Sequence, residues 1–485
     1  MTASPGAGDA PPGERPDLSA DRAATSFVVV AFAVSRLAFA VAGARFDARP
    51  LVEFCQFLDA DLLRHRLAES LAYLHAQPPL FNLYVGLVLK AAPGSGSALF
   101  GVLQLLLGLG LALLLFRSLR SLGASPAWGA FLATLFAAGP PALLYERWLF
   151  YELPVGVLLL LAAFCLGRAL RDVSPGWGLL FFSVAAAVTW TRSLFHVAWL
   201  GLLVLLLAAQ SRRPRIILAA AAGPVVLTLA LCAKNAVLFG FFGTSSWLGM
   251  SLARGTTFAL PSAEREALIS SGDLSPFARV PTRPAFPDVR ELPPYGPALP
   301  TGIPALDQLR RQGGASNHNN LLWVGVSASY QRDARAVLAA RPAAWLLSVG
   351  EALTLYFRPS CEDPLLLPAN RRALGAWERF YDRVVLLDFG ISWTLLLVHA
   401  AALAWGAWFL LARKVPAAEA ERGLVLFAFV TLLWVFAVGN VLEVGENNRF
   451  RWAVDPLALG LVVHAVSRLA RTGDDGRGSS AVRRG

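Results

Sequence analysis

The sequence predicts an all-α polytopic membrane protein with about 10–13 transmembrane helices and one large outer loop region. Three observations carry that prediction. Of the 485 residues, 56% are hydrophobic and 15% charged, whereas an average soluble domain is about 45–50% apolar and about 25% charged. The stretches 97–116, 173–191, 193–211, 216–233, 389–412 and 423–442 contain no Asp, Glu, Lys or Arg, and about 20 apolar residues suffice to cross a hydrocarbon layer. Arginines gather in short connections (Arg117 and Arg120; Arg168 and Arg171; Arg212, Arg213 and Arg215) and in the tail (Arg468, Arg471, Arg477, Arg483, Arg484). That is the pattern by which basic residues stay on the cytoplasmic side. It accounts for the net charge of +11 without nucleic acid. A soluble enzyme, a secreted disulfide scaffold and a disordered regulator are all excluded.

The elements follow in order. Residues 1–24, rich in Pro, Gly, Ala and Asp, read as a disordered cytoplasmic tail and not as a cleaved signal. The first span is 26–44. Arg36 in its middle costs a few kcal/mol unless it faces protein or water. Residues 45–77 form the first outer loop. Further spans are 97–116, 127–144, 153–167, 173–191, 193–210, 216–233, 389–412, 423–442 and 452–467. With the first, they make about ten crossings of an inner membrane and leave both termini cytoplasmic.

Three weaker apolar segments set the topology. If 79–92 crossed alone, the clusters at Arg117/Arg120 and Arg212–Arg215 would lie outside, against the charge rule, so it is expected to dip into the interface. The runner-up makes 175–210 one broken passage around Arg192 and lets 79–92 span. Segments 235–253 and 343–357 must cross together or not at all, and neither is expected to cross. That leaves 254–342, with Pro281, Pro284, Pro287, Pro293, Pro294, Pro300 and Pro304, as a large outer region. Residues 343–468 form the C-terminal transmembrane region and 469–485 a basic cytoplasmic tail. There is no internal repeat of the kind many secondary transporters carry. Cys55 and Cys361 both fall outside, where a bridge between them is one option.

Under this topology the outer face collects the unusual residues: Asp59 and Asp61, His75 and Gln77, Glu146 and Glu152, Thr191-Arg192, Lys234-Asn235, and Glu446-Asn447-Asn448-Arg449-Phe450-Arg451. A carboxylate can take a proton from a hydroxyl acceptor. Arginine and lysine can bind a phosphate and stabilise charge developing on a phosphate leaving group. A sugar on a lipid phosphate has its head group at this depth and its chain in the bilayer.

These residues also carry a resemblance. Asp59-Ala60-Asp61, followed by His75-Ala76-Gln77-Pro78-Pro79-Leu80, resembles the first-loop acidic motif and "PPL" element of GT-C glycosyltransferases. The bacterial family 39 branch, related to protein O-mannosyltransferases and lipid A aminoarabinose transferases, looks most alike. Lys234-Asn235 with Phe239-Gly240-Phe241-Phe242-Gly243-Thr244-Ser245-Ser246 resembles that family's "RN…FG.F…S" element, with Lys for Arg. Glu446…Arg449-Phe450-Arg451…Asp455-Pro456 resembles its final "E..RYR…P" element. The resemblance implies a GT-C-like transmembrane module over 25–253. It also implies an enzyme that moves a sugar, with inversion, from a polyprenyl-phosphate donor to a hydroxyl acceptor of unknown identity.

By that resemblance Asp59, then Asp61, would be the catalytic base. His75 and Gln77 would line the donor or acceptor pocket, with Glu146, Glu152 and Arg192 as further candidates, and Lys234, Arg449 and Arg451 would contact the phosphate. No cofactor is required, and a divalent metal ion, if used, would sit on Asp59 and Asp61. The expected partners are the lipid-linked donor, the acceptor and membrane lipid, with no nucleic acid.

Blander readings stand beside these. Asp59 and Asp61 can be solvated helix charges. His75 can cap a helix. His196, His399 and His464 can satisfy neighbouring helices. Glu146 and Arg147 can be a local surface pair, and Arg192 can snorkel. Two other functions compete: a transporter or flippase of lipid-linked material, and a non-catalytic membrane scaffold.

Overall fold

The computed structural model describes residues 18–294, 300–362, 365–412 and 416–482. Of the expected tails, 1–17 and 483–485 lie outside them, while 18–24 belong to the first helix and 469–482 to the last. Among the described residues there is no strand, only isolated bridges between loop residues, Asp47 with Trp148, Arg310 with Ser316 and Asp388 with Ser392.

The helices that matter to the site are α1 (Leu18–Val41), α2 (Ala60–His65), α3 (Leu67–Ala72), α4 (Pro79–Ala91), α5 (Gly96–Ser121), α6 (Pro126–Ala137), α7 (Pro140–Glu146), α8 (Glu152–Arg171), α9 (Pro175–Thr191), α10 (Val197–Gln210), α11 (Pro214–Phe239), α12 (Leu248–Gly255), α13 (Leu322–Ala340), α14 (Pro342–Tyr356), α15 (Trp393–Leu411), α16 (Glu419–Leu442), α17 (Asn447–Trp452) and α18 (Asp455–Val482). By length and apolarity six of them can cross a membrane: α1, α5, α8, α11, α15 and α16. The number rises to eight if each of two bent pairs, α6 with α7 (59°) and α13 with α14 (107°), is one span. The chain is therefore a multi-pass, all-α membrane protein. α4, α9 and α10 are apolar but shorter. Four of the ten expected crossings are absent from the six: 127–144, which is the bent pair α6 and α7, the shorter α9 and α10, and 452–467, which falls mainly in α18.

Ion pairs and close contacts sort the helix ends. At one end Arg120 meets Asp21 at 2.7 Å, Ser211 donates to Glu419 at 2.6 Å, and Glu421 receives His464 at 2.6 Å and Arg468. The opposite end holds the backbone pairing of Asp47 with Arg147 and Leu149, and the bond from Ser360 to the Asn448 carbonyl. Because α1 starts where α5 finishes, the stretch between them leaves and re-enters at the same end.

Segment 235–253 is not one helix. α11 stops at Phe239, and Gly240 takes φ 78°, the left-handed conformation that closes many helices. α12 then packs on α13 so closely that a Cβ on Gly249 would lie 1.8 Å from the Ser327 carbonyl oxygen. Arg36 is satisfied inside the bundle: it meets Glu146 at 2.9 Å, and its guanidinium stands 3.7 Å from the Phe32 ring. Gly108 on α5 leaves the space for Glu146. Cys55 and Cys361 are both free thiols.

Candidate functional site

One cavity of about 920 Å³ opens at the end of the bundle marked by Asp47 and Ser360. Its walls come from five stretches far apart in sequence: Glu53–Gln56 with Gln77, the turn around Arg192 and His196, the loop Phe239–Trp247 leading into α12, the segments 284–288 and 315–318 with α13, and the end of α16 running on to Phe450. α16 contributes Trp434, Val438 and Leu442, four residues apart on one helical face. This strip is apolar. Phe241, Phe242 and Leu248 face the same space.

The other pole is charged. Arg254 donates to the Thr282 carbonyl at 2.9 Å and meets Glu443 at 2.6 Å. Glu446 pairs with Arg449, which lies 3.4 Å from Glu152, and Glu152 lies 3.4 Å from Arg192. Arg192 is 3% exposed and held between the Tyr151 and Phe450 rings. Its two terminal nitrogens form no hydrogen bond among the described residues. Burial pushes the Glu443 carboxyl above its ordinary range, with Glu446 adding to that and Arg254 opposing it. Burial also opposes the charge on Glu446, but Arg449, Arg254 and Arg192 outweigh it, and its pKa is lowered.

Two further groups flank this pole. For Asp288, burial is overcome by hydrogen bonds from Arg290, Ser316 and Arg310, which hold it down at about 2. His318 is pushed down to about 4, chiefly by burial. Glu53 is different: it is the one carboxylate on the cavity wall whose side chain makes no hydrogen bond or ion pair among the described residues.

The sequence candidates divide accordingly. Gln77 and Arg192 are on the wall. Glu152 and Arg449 lie directly behind it, in the ion chain just described. Ser246 lines the cavity and lies 2.9 Å from His75 Nδ1. His75 is fully buried, pushed down to about 3 mainly by burial, and so neutral.

The remaining candidates have other partners. Asp59 accepts from the Asp61 N–H at 2.8 Å, capping α2, and from the Gln312 N–H at 2.6 Å. Asp61 is half exposed and pairs with His65 at 2.9 Å. The two aspartates thus do not face one ion together. Lys234 donates to the carbonyls of Ala72 and Leu74, at 3.0 and 2.9 Å, closing the end of α3. Arg451 binds Asp455, the Tyr356 and Arg358 carbonyls and Ser360 Oγ, a staple between α14 and α18. Glu146 belongs to Arg36.

Of the histidines, His464 and His399 face acidic neighbours, Glu421 and Asp455, while His196 reaches the cavity. Glu53, Arg254, Glu443, Asp288 and His318 were not singled out by sequence. Glu443, three residues before Glu446 at the end of an uncharged span, carried the one readable signal. Among the described residues a single trio, Cys361, Glu378 and Asp382, has metal-binding atom types within 4.8 Å of one another. Glu378 there is already paired with Arg371 at 2.7 Å.

No family model matches the chain, and no curated protein or solved structure matches it either.

Proposed function

We propose that the protein is a GT-C-type glycosyltransferase that moves a sugar from a polyprenyl-phosphate donor to a hydroxyl acceptor on the non-cytoplasmic face of an inner membrane. One observation carries the reading. A single cavity joins an apolar strip on a membrane-length helix, Trp434, Val438 and Leu442, to a pole of arginines and carboxylates. Such a cavity suits a ligand with a hydrocarbon tail and an anionic head. The orientation is supported by the arginine clusters: Arg117, Arg120, Arg212, Arg213 and Arg215 flank the helix ends at the opposite side of the bundle.

In this reading the donor phosphate docks against Arg192 and Arg254, the two arginines on the wall. The acceptor oxygen attacks the anomeric carbon as the bond from that carbon to the phosphate oxygen breaks. The phosphate leaves on its lipid, its charge stabilised by the guanidinium groups. The acceptor proton passes to a carboxylate. Glu53 suits that task better than Asp59 or Asp61, since it lies on the cavity wall and its carboxylate makes no hydrogen bond or ion pair among the described residues, with Arg49 its nearby charge. The resemblance also puts the base in this first outer loop. No step calls for a metal ion.

The test is transfer from a radiolabelled polyprenyl-phosphate sugar by the protein in lipid nanodiscs. Glu53→Gln should lower turnover by roughly 10²-fold or more while leaving donor binding in place. Absence of transfer and of binding across candidate donors would sink the proposal.

A further inference from the structure

A second surface at the cavity end of the bundle has the make-up of a lipid contact. After Gly375 the chain forms a short helix, Ala376–Phe380, continues through a π turn, Tyr381–Val385, and reaches α15 at Trp393. Its inner side is seated on the bend between α6 and α7. Trp377 Nε1 donates to the Ala138 carbonyl at 2.8 Å, and Tyr381 lies against Gly139.

The outer side is bare. Phe380, Val384 and Leu387 recur at helical spacing and are 50%, 56% and 42% exposed, and Phe389 is 69% exposed. Soluble surfaces seldom leave so many large apolar groups together. Arg379 and Arg383, one turn apart, border the patch. Arg379 makes no ion pair among the described residues. Arg383 donates to the Asp388 carbonyl at 2.9 Å and stands 5.5 Å from the Phe389 ring.

What covers the patch follows from where it leads. It is continuous with the exposed Trp393 and Leu397 of α15, a helix of membrane-crossing length and composition. A surface that runs without interruption into lipid-facing helix is covered by the same lipid. Aromatic side chains and arginines at such a junction lie at head-group depth, the apolar parts inward and the guanidinium groups at the phosphates.

We propose that residues 376–393 form an interfacial anchor that binds an anionic phospholipid. Arg379 and Arg383 hold the head-group phosphate, and Phe380, Val384 and Phe389 enter the acyl region. Since the anchor is pinned to Ala138 and Gly139, its occupancy also braces the α6–α7 bend. This inference rests on the membrane character of the chain and not on the proposed transfer reaction.

The experiment uses the full chain in detergent, melted with added phosphatidylglycerol or phosphatidylcholine. Bound lipid is counted in parallel by native mass spectrometry. Wild-type protein should gain roughly 3–6 °C with phosphatidylglycerol and clearly less with phosphatidylcholine. The doubly substituted Arg379→Gln/Arg383→Gln protein should lose that difference and retain fewer anionic lipids. Both side chains are exposed, so the fold should tolerate the change, and a Phe389→Ser variant should weaken the gain from either lipid. Equal stabilisation by the two lipids, or an unchanged gain in the arginine variant, would overturn the proposal. So would efficient disulfide crosslinking of Phe389→Cys between two copies, which would make the patch a protein interface.

Discussion

The Arg254 guanidinium meets the Glu443 carboxylate at 2.6 Å on the cavity wall, joining α12 to the end of α16. The pair holds together two stretches 189 residues apart in sequence. If the proposed anionic donor docks on Arg254, ligand and carboxylate would compete for that one cation.

That competition gives a pH dependence. Glu443 is held above the ordinary carboxyl value by burial, with Glu446 adding and Arg254 and Arg449 opposing. A carboxyl whose folded value is raised keeps more protons in the folded state, so its contribution to stability is full below the unfolded value of about 4.3 and is lost as pH rises through the folded value. Melting temperature should therefore fall with rising pH across that window, and Glu443→Gln should flatten the profile. Binding of bare polyprenyl phosphate should tighten as pH falls through the same window, and Glu443→Gln should bind it more tightly at neutral pH. A wild-type affinity independent of pH there would contradict the competition.

Asp59 is engaged as a helix cap and as an acceptor for the Gln312 backbone. Asp59→Ala should cost about 1 kcal/mol or somewhat more from the lost cap, read as a lower denaturation midpoint. Asp59→Asn keeps an acceptor oxygen and should cost less. Per folded molecule, transfer should remain within a few-fold of wild type. A collapse of turnover in a fully stable Asp59→Asn protein would restore Asp59 as the base.

The Arg36–Glu146 pair is buried within the bundle, with both side chains nearly inaccessible. Arg36→Met strands the Glu146 charge and should cost about 3–5 kcal/mol. Replacing both, as Arg36→Met with Glu146→Leu, should recover most of that loss. A double variant no better than the single one would argue against the pairing.

Gly249 marks the contact of α12 with α13, two walls of the cavity. An alanine there would bring its Cβ within 1.8 Å of the Ser327 carbonyl oxygen and 2.8 Å of the Gln331 nitrogen, both backbone atoms. Gly249→Ala should cost roughly 1–3 kcal/mol and weaken lipid-phosphate binding, since the helices must separate. Unchanged melting and binding would show that the crossing is looser than described.

How much of this was legible in the chain varies by element. The apolar runs at 97–116, 216–233 and 423–442 announced α5, α11 and α16, because hydropathy over a span is a local property. Gln77 and Arg192, which line the cavity, stood out in the sequence because a polar group beside an apolar run is conspicuous wherever it ends up. Lys234 and Arg451 were conspicuous for the same reason, yet their donors are occupied by backbone carbonyls: Ala72 and Leu74 for one, Tyr356 and Arg358 for the other. Glu53 passed unnoticed in a loop with several acids, since nothing in its neighbours tells whether a carboxylate will be capped.

Composition, spacing and charge asymmetry were thus enough for the membrane class, the positions of the long helices and the end of the bundle where polar chemistry gathers. Each depends on residues close together in sequence. Which acid faces open space and which closes a helix depends on partners such as Arg36 with Glu146, 110 residues apart, or Asp59 with Gln312, 253 apart. Those pairings exist only once the helices have packed. A side chain's chemistry is set by the neighbours that packing brings to it, and the order of the chain does not name them in advance.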